Sequence, residues 1–117
     1  MISEQEYDFD GNAHGPDVTF VGPEKMPLFQ GSKRVQRFVP DLAIEIVSAN
    51  DTFQSLVRKK DCYRKCGTRE VWIVSPDSCE VFVFSEHGDR ILGQDAELST
   101  PLIPGFQITV KRLFEEM

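Results

Sequence analysis

Long hydrophobic runs are missing from this chain. No apolar stretch approaches the ~18–20 residues that a bilayer-spanning helix needs, and no basic start leads into an apolar segment of the secretory kind. The expectation is a cytoplasmic protein with no membrane partner. Cysteine is scarce and odd in number: Cys62, Cys66 and Cys79, without a CxxC pair. That argues against a zinc ribbon and against a disulfide framework. Cys62 and Cys66 stand one helical turn apart and read as reduced packing residues. No P-loop or Rossmann glycine pattern is present. Ser48 and Ser75 lack a His–acid pairing, so serine-nucleophile chemistry has no support. A basic excess is lacking as well. Thirteen Lys and Arg face 19 Asp and Glu, a net charge of −6, which excludes the overall basic footprint common among proteins that grip nucleic acid. The cations that exist are clustered, at Lys33, Arg34 and Arg37 and again along Arg58, Lys59, Lys60, Arg64, Lys65 and Arg69. One basic surface on an acidic body is therefore open.

What remains is an ordinary globular composition. A chain of 117 residues, 40% hydrophobic and 27% charged, is enough for one domain around one core. Residues 1–15 are rich in acids and turn formers and read as a peripheral entry segment. DVTFV (17–21) suits a strand behind a proline. Leu42 to Ser48 is a stronger one. Asn50 or Asp51 is a suitable cap for a helix whose apolar stripe is Phe53, Leu56, Val57, Tyr63 and Cys66, closed by Gly67. VWIV (71–74) is a short strand of the fully buried kind, SPDS is a turn, and EVFVF (80–84) returns. LIPGFQITVKRLF predicts an apolar segment and a short terminal helix. Strand, strand, helix, strand, strand describes a small α/β protein.

The stretch PDLAIEIVS (40–48) is apolar enough for a covered strand, yet it carries Glu45 in its middle. Strand side chains alternate, so Asp41, Ala43, Glu45 and Val47 share one face. A buried carboxylate needs a cation, a hydrogen-bond donor or a raised pKa. An ion pair with a nearby Lys or Arg would explain Glu45; so would a functional site. Asp41 and Glu45 cannot share one metal directly, being roughly 13 Å apart along the strand. Asp17 is the better partner if the two strands are neighbours, and two carboxylates suit Mg²⁺ or Mn²⁺ rather than zinc. His14 and His87 read as loop histidines, although His14 could touch a phosphate. Trp72 and Tyr63 fall in hydrophobic patterns and read as core.

The order of an Asp on one strand, an acid on the next and then a lysine resembles the PD-(D/E)XK nucleases. More narrowly, PDLAIEIVSANDTFQSLVRKKDCYRKCGTREVWIVSPD is similar to the Uma-two family of restriction-endonuclease-like proteins. The shared pattern is PD, two hydrophobic positions and Glu, then S-x-x-D, a Lys four residues before a Tyr, and G-x-x-E before the Trp strand. PDVTFV and LIPGFQITVKRLF extend the likeness over residues 16 to 114.

The resemblance implies a single domain over 1–117 with a restriction-endonuclease-like α/β core, a mixed β-sheet flanked by a helix after the second core strand. It implies metal-dependent hydrolysis of phosphodiester bonds in DNA. Asp17 and Glu45 would be ligands of Mg²⁺ or Mn²⁺, and Lys59 the catalytic cation; Asp41 and Tyr63 would support them. The position two residues after the Glu, where these nucleases usually carry lysine, holds Val47. Helix periodicity leaves Lys59 and Lys60 both open, and the resemblance selects Lys59. Ser55 stands where the family has an aspartate. The family's N-terminal region is expected to be absent, leaving sheet surface for a homodimer contact or another chain. The competing expectation is a catalytically inactive nuclease fold serving as a dimerisation or interaction module.

Overall fold

The computed structural model describes all 117 residues. In chain order the elements are β1 (Ile2–Ser3), β2 (Glu6–Phe9), β3 (Asn12–His14), β4 (Val18–Phe20), β5 (Val35–Gln36), β6 (Leu42–Ile46), α1 (Phe53–Lys65), β7 (Glu70–Ser75), β8 (Glu80–Ser85), β9 (Gly88–Leu92), β10 (Glu97–Ser99), β11 (Gln107–Thr109) and α2 (Val110–Glu115). Six strands form the central sheet in the order β1-β4-β6-β7-β8-β9. Only β6 and β7 run parallel, and α1 is the crossover between them. The remaining neighbours are antiparallel, so the sheet is mixed, as expected.

The alternation of β6 decides what each side of the sheet holds. Leu42 and Ile44 point to one core, with Trp72, Val74, Val81 and Val83 from the neighbouring strands. The β10–β11 hairpin and α2 close this side through Leu98 and Val110. Ala43 and Val71 point the other way, under Tyr63 of α1 and Tyr7 and Phe9 of β2. Glu45 belongs to this second face. No helix is long and apolar enough to cross a membrane.

The N-terminal segment is not peripheral, contrary to the sequence reading. Tyr7 and Phe9 are fully buried, and β2 lies between β3 and β5 in a small three-stranded sheet that covers the α1 side. The missed signal was the Asp10-Gly11 pair. Both residues have positive φ, 53° and 89°, and join Phe9 to Asn12 in a two-residue hairpin. Such a turn favours Asp-Gly because both central positions must be left-handed.

Helix α1 also begins differently from expectation. Thr52 is the cap: its side chain accepts from Ser55 N–H, and the Ser55 hydroxyl accepts in return from Thr52 N–H. This reciprocal capping box satisfies two otherwise orphaned donors. Asp51 instead accepts from the backbone and hydroxyl of Ser48, closing the turn after β6. Phe53, placed on the apolar stripe by its spacing, is the first residue of α1 and is 82% exposed. Gly67 ends the helix at φ +109°, as its position predicted.

Candidate active site

Strand register brings Asp17 to Glu45. The β4–β6 ladder pairs Thr19 with Ala43 and Val18 with Ile44. One further step sets Asp17 opposite Glu45 on the same face. Directly opposed positions on antiparallel strands hold their Cβ atoms about 5 Å apart. Pro16 follows in the register and has no N–H to continue the ladder. Asp17 Oδ2 ends it by accepting from Ile46 N–H at 2.7 Å.

Glu45 is only 5% exposed. Its Oε1 accepts from the Tyr63 hydroxyl at 2.7 Å, and its Oε2 lies 3.8 Å from Lys59 Nζ. Burial pushes its carboxyl above the ordinary range; the Tyr63 hydrogen bond and the Lys59 charge oppose the rise, while Asp17 and Asp51 add to it. Burial, followed by the adjacent Glu45 charge, pushes the Tyr63 phenol far upward. Tyr63 therefore stays a neutral donor that fixes Glu45.

The two candidate lysines separate cleanly. Lys59 reaches Glu45 with its side chain about one-third exposed. Lys60 turns away, pairs with Asp61 at 2.6 Å and lies 4.9 Å from the centroid of the Phe84 ring. Asp41 is not brought to this group. It is buried one residue before β6, where it accepts from Gly22 N–H at 2.7 Å and pairs with Lys25 at 3.3 Å.

Sequence reasoning missed two neighbours. His14 is half-buried on β3, its ring 5.9 Å from that of Tyr63 and 5.9 Å from that of Phe9. The Asp10-Gly11 hairpin signal would have placed it there. Asp51 adds its charge to the surroundings of Glu45, and its place in S-x-x-D was the available hint.

The donor chemistry fits a hard divalent ion. Intramolecular hydrogen bonds occupy Oδ2 of Asp17 and Oε1 of Glu45. Oδ1 of Asp17 is left for a ligand, and Oε2 of Glu45 would share one with Lys59, 3.8 Å away. No set of three or more His, Cys, Asp and Glu side chains is grouped to cage a metal. Two carboxylates suffice for Mg²⁺ or Mn²⁺, which keep waters or substrate oxygens in their remaining positions.

Asp17, Glu45 and Lys59 thus lie together on one face of a mixed α/β sheet flanked by α1. The chain is similar to the crystal structure of "a putative nuclease belonging to DUF820 from Anabaena variabilis ATCC 29413", with a TM-score of 0.85 and 22% identity. The match covers 97% of this chain and 66% of that one, so the chain spans just under two thirds of that protein's length. At this identity the likeness shows the fold. Residues 1–111 match the Uma2 family, described as "Putative restriction endonuclease". The chain belongs to that family, as the resemblance implied. No curated protein matches it.

Proposed function

We propose that this protein is a metal-dependent endonuclease that hydrolyses phosphodiester bonds in DNA. The observation that carries the reading is the convergence of Asp17, Glu45 and Lys59 from three separate elements. Asp17 and Glu45 would hold Mg²⁺ or Mn²⁺, and an ion so held supplies the Lewis acidity that activates water and offsets phosphoryl charge.

The chain's own residues do the rest. Ile46 N–H holds the Asp17 carboxylate by one oxygen. Tyr63 holds Glu45 in the same manner from the helix side. The Lys59 ammonium sits at the rim, close enough to Glu45 to be held and exposed enough to contact a phosphate. There it stabilises the charge that grows on phosphoryl oxygens during displacement. Asp41 supports the site at a distance, by fixing the loop that follows β4.

A homodimer belongs to the same reading. Val18, Phe20 and Ile46 remain only partly covered at the β4–β6 end of the sheet, on the side away from α1, and a second copy would bury them. Sedimentation velocity checks this point.

The activity is tested by incubating supercoiled plasmid with Mg²⁺ or Mn²⁺ and the native chain or Glu45→Ala. Metal-dependent nicking by the native chain and none by Glu45→Ala supports the proposal. Equal nicking by both, or none by either, removes it.

A further inference from the structure

The carboxylate site leaves unused the other feature of this sequence, its first cluster of cations. Lys33, Arg34 and Arg37 line one groove with Gln36, Phe38 and Asp8. All three cations are exposed. Arg34 is partly neutralised by Glu6 at 2.6 Å, and the Asp8 carboxylate accepts from Gly11 N–H in the hairpin turn. Lys33 and Arg37 form no ion pair within the chain. In a protein of net charge −6, two unpaired cations beside a third are a local reversal of sign.

The loop that presents them is held in one shape. The Gln36 side chain, 2% exposed, accepts from Gln30 N–H at 2.8 Å and donates to the carbonyls of Gln30 and Lys33 at 2.7 and 3.1 Å. Gln5 donates to the Arg34 carbonyl at 2.8 Å. At the other end Lys25 donates to the Val39 carbonyl at 2.9 Å and pairs with Asp41. Side-chain amides and an ion pair thus fix the segment, together with the packing of Phe38 and Val39 on the second core. A fixed loop spends less entropy when its cations meet a ligand.

We infer that this groove binds the sugar-phosphate backbone of duplex DNA, holding phosphates that flank the one presented to Asp17, Glu45 and Lys59. The inference rests on the nuclease reading for the identity of the polyanion. Position agrees with it. The groove is on the small sheet, where Asp8 faces away from the buried Tyr7 and Phe9. The strand at its far side, β5, is two strands from β3, whose His14 meets Tyr63. Strand spacing makes β5 to β3 about 10 Å, about three phosphates' worth of rise along a duplex axis at about 3.4 Å each. The groove favours the backbone over bases. Its one aromatic, Phe38, is half-buried and packed edge-on against Tyr7 and Phe29, and a single ring gives no platform for successive bases.

The test compares the native chain with the double variant Lys33→Ala/Arg37→Ala. Binding of a fluorescein-labelled duplex of about 20 base pairs is followed by anisotropy across a salt series, with Ca²⁺ present to prevent cleavage. Loss of two phosphate contacts lowers the log–log salt slope by about 2 and weakens binding about tenfold or more at low salt. Mn²⁺ binding by calorimetry stays native, because neither residue touches the carboxylates. An unchanged slope and affinity overturn the inference. So does an equal loss of affinity for poly-L-glutamate at matched charge, which would make the groove an unselective cationic patch. If the native chain binds no Mn²⁺ yet the double variant loses duplex affinity, the groove stands and the catalytic reading falls.

Discussion

Lys59 of α1 and Glu45 of β6 meet across the helix–sheet boundary, with Nζ 3.8 Å from Oε2. The same carboxylate is held on its other oxygen by Tyr63, one turn further along α1. One helix face thus supplies both a fixed donor and a movable charge to a single buried acid.

That division of labour separates the two adjacent lysines. Lys59→Ala is expected to slow plasmid nicking about 10²-fold or more, the usual cost of removing a group that stabilises transition-state charge. Mn²⁺ binding should persist. Lys60→Ala should nick within about twofold of native, since Lys60 is occupied by Asp61 and Phe84. Single-turnover nicking rates decide, and comparable losses in both variants contradict the assignment.

Tyr63→Phe removes the donor that fixes Glu45 while keeping the ring in its aromatic cluster. A hydrogen bond to a charged group contributes about 1.5–3 kcal/mol. The metal-free protein should lose roughly that much stability near neutral pH, measured by urea unfolding. A variant as stable as native would mean that the hydroxyl contributes nothing to the buried acid.

The Glu45 shift gives a pH prediction with a definite sign. Its folded pKa lies above the ordinary value of 4.5. Its contribution to stability is therefore fully present below that ordinary value and is lost as pH rises through the raised one. Glu45→Gln removes the titration. In EDTA the variant should melt higher than native at about pH 8 and lose that advantage below about pH 4.5. Other carboxylates titrate in both proteins, so the difference between the melting curves isolates Glu45. A variant that melts lower at the alkaline end reverses the sign and contradicts the burial argument.

Gly22 tests the anchoring role of Asp41. A Cβ built there comes within 3.0 Å of Asp41 Oδ2, which already accepts from Gly22 N–H at 2.7 Å. Gly22→Ala should destabilise by about 1–2 kcal/mol through displacement of a buried charged acceptor. Gly31→Ala, with open space around it, should fall within about 0.5 kcal/mol of native. Equal melting temperatures for the two variants would remove the close approach as a constraint.

The central βαβ unit was legible because its signals were local and redundant. PDLAIEI and VWIV read as covered strands, and Gly67 marked the helix end. The acidic residue in β6 was legible because a carboxylate breaks an apolar pattern. What stayed hidden depended on pairing between distant segments. Tyr7 and Phe9 sit in a polar-looking stretch, and their burial follows from β2 pairing with β5, almost 30 residues away. Asp41 shares a face with Glu45 by alternation, yet Gly22 and Lys25 claim it, and a strand's period does not say which loop returns to its start. Phe53 fits helical spacing but stands exposed at the start of α1. Periodicity names a face without saying where the covering surface ends.

The most direct test of the central claim is calorimetric titration of Mn²⁺ into the native chain, Asp17→Asn and Glu45→Gln. The opposed carboxylates predict one site in the native chain, weakened at least about tenfold by either substitution, as the loss of one of two charged ligands requires. Native-like binding in both variants would place the metal elsewhere. No binding by the native chain would leave Asp17 and Glu45 as structural acids and end the account of this site as a nuclease centre.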